Sequence, residues 1–289
     1  MFSATAFLFA FSNVETANGK QYHIPTQTFD FYKETGLSGR RNNITIDSFE
    51  VGTLVTYGEY KKYLNAIKKD SSLEFYKSQF SDSLMCAPDA YAKYVNSTEY
   101  DDFPVSGISW DNALNYCKWK TIMANPKDSF NVLYRLPHPD EWVAAYKYLT
   151  DNKIQNDFSK DYADWTLGSK DDSYYDEDGL MRNYIPQSSE YWATPQDPAV
   201  LKRKIALGNS YHYCEPEIFR FYAWSYYEFH GYAHISFRCV CKKVEPLIAN
   251  DKNGRTYYSN WSSEHEMLRH WGLMKKNNLI PTNRYVTPH

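Results

Sequence analysis

The 289 residues carry a formal charge of −3, with 32 Lys and Arg against 35 Asp and Glu. That balance supplies no basic stripe for the phosphate backbone, so nucleic acid is excluded as the main partner. A hydrophobic content of 43% lets the chain fill a sizeable core without disulfides, as one large domain or one domain with an appendage. The 27 Tyr supply many rigid contact groups with an apolar body and a polar tip.

From the N-terminus, Ala4 to Phe11 is an apolar run too short to span a bilayer. Ala17 and Gly19 follow as small residues at a candidate cleavage point, which predicts a secretory signal over 1–19 without the usual positive start. No transmembrane segment is predicted. Asn43 to Val51 alternates through Ile44 and Ile46 and predicts a strand. Thr56 and Glu59 form a capping box ahead of a helix whose buried stripe is Tyr60, Tyr63, Leu64 and Ile67. Residues 70–100 have no clear period and read as an irregular excursion.

Pro104 keeps the segment before it extended, and Ser109 is placed to cap a helix with Asp111 in its first turn. Trp110, Ala113, Leu114, Cys117 and Thr121 then recur on one helical face. Asn125 to Asn131 reads as a loop. Pro139 suits the first helical position, Asp140 and Glu141 its positive end, and Trp142, Ala145, Tyr146 and Leu149 its apolar face. His138 stands at the cap, where an imidazole caps worse than a hydroxyl, and a catalytic His there has no partner in view. Residues 150–200 are polar and acidic and read as loop. Closing strands are expected within 203–243. Beyond Val244, the Asn253-Gly254 turn precedes a short strand, and Ser263 is placed to cap a helix carrying Met267, Leu268, Trp271 and Met274.

Several of these blocks share an order with a known family. Asp-Phe-Pro-Val-Ser-Gly-Ile-Ser-Trp-Asp-Asn-Ala-Leu-Asn-Tyr-Cys-Lys-Trp at 102–119 resembles the helix signature of the formylglycine-generating enzymes, also called sulfatase-modifying factors. Val55 to Tyr60, Arg135 to Trp142, Ile205 to Tyr211 and Ser236 to Val240 resemble further blocks of that family, in the same order. The resemblance implies an irregular α+β domain of the C-type-lectin-like kind over 20–244, with few regular elements and long loops. Residues 245–289 then form an appendage of unknown function. Among branches of the family, the blocks look most like gliding-motility and secretion-associated envelope proteins. That branch implies an exported domain binding an envelope protein or a glycan.

The family's oxidation of a substrate cysteine by O₂ uses Cu(I) on two thiolates, which are soft ligands matched to that ion. The resemblance puts Tyr213 and Ile218 where those cysteines stand, so the expected reading is non-catalytic. The alternative is a rearranged copper site on Cys214 with Cys239 or Cys241, with Ser210 in the family's Gly-Gly-Ser-Tyr block. The five Cys are an odd count, leaving a thiol free or paired between chains. His230 and His234 are four apart, but Gly231 and strand-like flanks argue against a helical metal pair. Asp161-Tyr-Ala-Asp-Trp165 resembles a degenerate form of a further family block, which implies that Asp161 and Asp164 fall where the family holds a structural Ca²⁺, for which carboxylates are the right hard ligands; the other reading is a solvated acidic loop. Lastly, the 211–234 segment is too aromatic for one buried strand face. Its outward members are expected to form a ligand surface at the family's cleft, drawn from Tyr211, Tyr213, Trp224, Tyr226, Tyr227, His230 and Tyr232.

Overall fold

A computed structural model describes residues 20–30, 43–80, 93–94, 96–125, 130–169, 203–211, 224–245, 248–250, 256–258 and 262–274. The expected signal at 1–19, Tyr213, Cys214, Ile218 and the Asn253-Gly254 turn lie outside the described residues. The strands are β1 (Gln21–Ile24), β2 (Gln27–Phe29), β3 (Ile44–Ile46), β4 (Phe49–Leu54), β5 (Val132–Arg135) and β6 (Ala163–Ser169). They continue as β7 (Arg203–Leu207), β8 (Trp224–Tyr227), β9 (Ile235–Ser236), β10 (Arg238–Lys243), β11 (Ile248–Asn250) and β12 (Thr256–Tyr258). The helices are α1 (Tyr57–Asp70), α2 (Leu73–Ser78), α3 (Trp110–Ala124), α4 (Pro139–Asp151) and α5 (Ser263–His270). The fold is α+β, as expected.

An antiparallel sheet runs β1-β4-β10-β5, and a mixed sheet runs β8-β7-β6-β9 with β6 and β9 parallel. Two hairpin-sized pairs, β2-β3 and β11-β12, complete the set among the described residues. The helix starts follow the sequence chemistry. Thr56 accepts from the Glu59 N–H at 3.3 Å while the Glu59 carboxylate accepts from the Thr56 N–H at 3.1 Å. Ser109 Oγ accepts from the Asn112 N–H at 3.2 Å. At α4, Glu141 accepts from the His138 N–H at 3.0 Å. Ser262 caps α5, one residue before the expected position.

Three segments depart from the sequence expectation. The stretch read as one strand is two, because β3 pairs with β2 while β4 joins β1 and β10. The 70–100 excursion holds α2 and a 3₁₀ turn at Thr98–Tyr100, neither of which buries a residue, so no apolar period marked them. The acidic stretch after 150 opens into β6, whose residues 163–168 are buried on both faces and therefore do not alternate.

The core divides across the strands. Along β10, Val240 joins the cluster of Trp142, Val143 and Leu149 on α4, whereas its neighbour Cys239 joins the cluster of Tyr60, Tyr63, Tyr116 and Trp165. A register shift between Arg238 and Val240 marks a bulge in β4, where Gly52 and Thr53 together face Cys239. Met267 and Leu268 of α5 are buried in the same cluster as Cys239, so this part of the C-terminal segment packs on the main domain. No helix among the described residues is long and apolar enough to cross a membrane.

Candidate functional site

The most buried charge on the sequence-derived site list belongs to the segment expected to hold calcium. Asp164 has no exposed surface, because β6 runs between β7 and β9. Its oxygens accept from Trp142 Nε1 at 2.6 Å and Arg238 Nε at 3.1 Å, and Arg238 Nη2 lies 3.1 Å from the second oxygen. Arg238, equally buried, also donates to Asp157 at 2.8 Å and to the Gly52 carbonyl at 3.2 Å, and its guanidinium stacks on Phe158. Burial pushes the Asp157 carboxyl up, but Arg238 and the Leu54 N–H outweigh it and hold the group below the usual range. Asp161 is exposed, and its backbone carbonyl accepts from the Tyr211 N–H at 2.9 Å. A guanidinium thus occupies the side of Asp164 that a calcium ion would need. These two residues do not fit a shared cation.

The thiols are the second expected site. Cys239 Sγ lies 3.6 Å from Cys117 Sγ, a partner the sequence reading left on the buried face of the central helix. Both are buried, and the space beside Cys239 is only about 10 Å³. Burial raises the Cys117 thiol, whereas the hydrogen bond from Cys117 lowers that of Cys239. Cys241 is half-buried beside Tyr134, and burial raises it to about 11. A pair sealed this way leaves no room for a substrate cysteine and O₂, so it does not fit the copper oxidase site. Ser210 is buried.

The aromatic segment divides. Tyr211, 52% exposed, meets the Tyr162 ring at 5.8 Å, on the side of the molecule where Tyr57 stacks on Tyr94. Tyr226 and Tyr232 are half-buried against Trp165, and the Tyr226 hydroxyl bonds His234 Nε2 at 2.9 Å. Tyr227 stacks on Phe229, which also meets His230. Trp224 lies in β8, paired with Ala206. The structure therefore brings Tyr226 with Tyr232 and Tyr227 with His230, and sets Tyr211 against Tyr162.

Phe229, one of the aromatics of 211–234, leads to a further open space. The turn after β8 is fixed to the start of α3: the Glu228 carbonyl accepts from Trp110 N–H at 3.0 Å, and the Tyr232 carbonyl from Gly107 N–H at 3.1 Å. Gly231 is required there, since a Cβ would lie 1.7 Å from the Gly107 oxygen. This turn, α2, the first turns of α3 and the end of α5 enclose an open cavity of about 850 Å³. That is within the size range of small-molecule sites. Phe75 and Phe229 are its exposed rings. Only the tertiary structure could bring α2 and α5 to this place, so the sequence carried no signal for it.

His138 lines a smaller polar hollow of about 280 Å³ with Asp47, Arg135, Asp140 and Glu264. Arg135 makes a two-pronged pair with Glu141, at 2.6 and 2.7 Å. Burial and then the Arg135 charge lower the His138 imidazole to about 4, so it is neutral at pH 7. Burial pushes the Glu141 carboxyl up, yet Arg135 outweighs it and holds the group far below the carboxylate range.

The chain matches solved structures of low identity. The structure titled CarF is 14% identical with a TM-score of 0.48, covering 78% of this chain and 98% of that one. The Treponema denticola variable protein 1 is 13% identical with a TM-score of 0.45, covering 76% and 94%. No curated protein matches in sequence. The family model described as the sulfatase-modifying factor enzyme 1-like domain matches residues 13–215, which takes in the central helix and the buried clamp partner Asp164. By that match the chain belongs to the sulfatase-modifying factor family.

Proposed function

We propose that this member of the family is a binding domain of the cell envelope, of the gliding-motility or secretion-associated type, and does not run the family's oxidation. The observation that carries the reading is where the thiols lie relative to open space. Cys117 and Cys239 touch inside the core, while the large cavity is walled by aromatic rings, amides and carboxylates and has no thiol among its described lining. The resemblance adds that Tyr213 and Ile218 fall at the places of the family's copper ligands. Neither can act as a soft thiolate. An aromatic and amide cavity is suited to holding a protein or glycan ligand. Export rests on the apolar run and small residues of 1–19.

Purified protein given Cu(I), O₂ and a cysteine peptide of the sulfatase type is expected to yield no aldehyde by mass spectrometry. Formylglycine that appears with the native chain and vanishes in Cys214→Ala would overturn the reading in favour of a rearranged thiol site. Fractionation of the source cell is expected to place the protein in the envelope fraction, and recovery in the cytosol alone would refute export.

A further inference from the structure

The lining of the large cavity combines two chemistries. Part of it is polar, neutral and held in fixed directions. Asn112 Nδ2 donates to the Ser78 carbonyl at 2.8 Å, and Asn115 Nδ2 donates to Gln79 Oε1 at 3.2 Å. That same oxygen accepts from the Tyr63 hydroxyl at 2.9 Å, so Gln79 is fixed from behind. After these bonds each asparagine still has a carbonyl oxygen and a second N–H to offer, one acceptor and one donor on each side chain. The rest is aromatic: Phe229 is 54% exposed and Phe75 38%, and Trp271 is half-buried just after α5.

The charge of Glu228 is offset within the protein. Glu228 lies 3.5 Å from the ammonium of Lys204, which is itself buried and sits 4.4 Å from the centre of the Trp110 ring. Asp111 stands in the first turn of α3, where the helix dipole offsets part of its charge. His270, lowered by burial, is neutral at pH 7. An apolar occupant would cover the amides without satisfying them, at the desolvation cost of each buried polar group. A cation would find Glu228 already offset by Lys204 and Asp111 offset in part by the helix dipole. A ring that is apolar on its face and carries hydroxyls on its edge satisfies both chemistries, because each hydroxyl both donates and accepts.

We infer that the cavity takes a neutral pyranose oligosaccharide, its ring faces against Phe229 and Phe75 and its hydroxyls on Asn112 and Asn115. This deepens the binding reading above and rests on it.

The test uses the full chain with maltotriose, cellotriose, chitotriose and mannotriose as probes, read by titration calorimetry and tryptophan fluorescence. At least one trisaccharide is expected to bind saturably, and Phe229→Ala and Asn115→Leu are each expected to weaken it about tenfold. Phe229 is exposed, so its truncation should leave the melting temperature unchanged and keeps the test valid if Asn115→Leu loosens the helix. Saccharide binding that survives both variants overturns the assignment to this cavity. If no saccharide binds but short displayed peptides do, and Phe229→Ala abolishes them, the saccharide inference fails and the binding reading stands. If neither class binds, both fail.

Discussion

Replacing Asp164 by Asn tests whether this carboxylate is the counter-charge of the core or a ligand for calcium. The change keeps the volume and removes one charge beside a guanidinium with no exposed surface. Of the Arg238 partners, Asp157 and the Gly52 carbonyl remain, but Asp157 is 32% exposed and shares its other oxygen with the Leu54 N–H. The new amide also presents N–H groups where Trp142 Nε1 and Arg238 both donate, so one donor at least faces another donor. Breaking one side of a buried pair costs roughly 3–5 kcal/mol. With Asp157 retaining part of the compensation, about 3 kcal/mol is expected, against a total stability of about 5–15 kcal/mol. The assay is urea unfolding followed by tryptophan fluorescence, with Asp161→Asn as a surface control expected to stay within about 0.5 kcal/mol. Adding Arg238→Met to Asp164→Asn should cost less than the sum of the two, because the second change removes the charge that the first leaves uncompensated. Millimolar Ca²⁺ is expected to leave the native melting curve in place. A loss under about 1 kcal/mol for Asp164→Asn, or a Ca²⁺-dependent rise in stability that this variant abolishes, would refute the clamp argument.

Two other perturbations follow from the same geometry. Oxidation should close Cys117 and Cys239 into a disulfide, since the sulfurs already touch at 3.6 Å across 122 residues of chain. Chain entropy sets the gain at up to about 5 kcal/mol, checked by guanidinium unfolding with and without reductant and absent in Cys117→Ala. Two alkylatable thiols at these positions after oxidation would contradict it. For pH, the folded His138 is lowered to about 4 from an ordinary 6.5, so the unfolded chain binds a proton first and stability falls as pH drops through that window. The loss is at most about 3 kcal/mol, reduced because His138 is only partly buried. His138→Thr should flatten the melting temperature between pH 6.5 and 4.5 and add a cap of about 1 kcal/mol, whereas parallel pH profiles would discount this histidine. Glu141 and Asp157, both held below the usual range, should continue the acid loss under pH 4.5, visible as a steeper fall there in the His138→Thr variant.

The sequence by itself determined the elements whose signals are local. Thr56 with Glu59, and Ser109 ahead of the Trp110 stripe, specify helix starts within a few residues, because capping and periodicity act over one or two turns. The ordered blocks from Val55 to Tyr211, which lie within the matched residues 13–215, were enough to indicate the family, and with it the α+β class. What sequence could not supply was the set of partners across long separations. Asp161 to Trp165 looked like a solvated acidic loop or an ion site, yet Asp164 is sealed between β7 and β9 by Arg238, which lies 74 residues further on. Cys239 entered the sequence reading as an alternative copper ligand, and only the pairing of β10 with β4, which turns it to the face opposite Val240, sets it against Cys117. The aromatics of 211–234 were legible as surplus to one strand face, but not which of them share a surface. That was decided by the turn locked at Gly231, which places Phe229 at the cavity, and by α2 and α5, which wall the cavity from distant parts of the chain. Side-chain type and spacing encode an element's own face; which face it meets is settled by the packing of all the others.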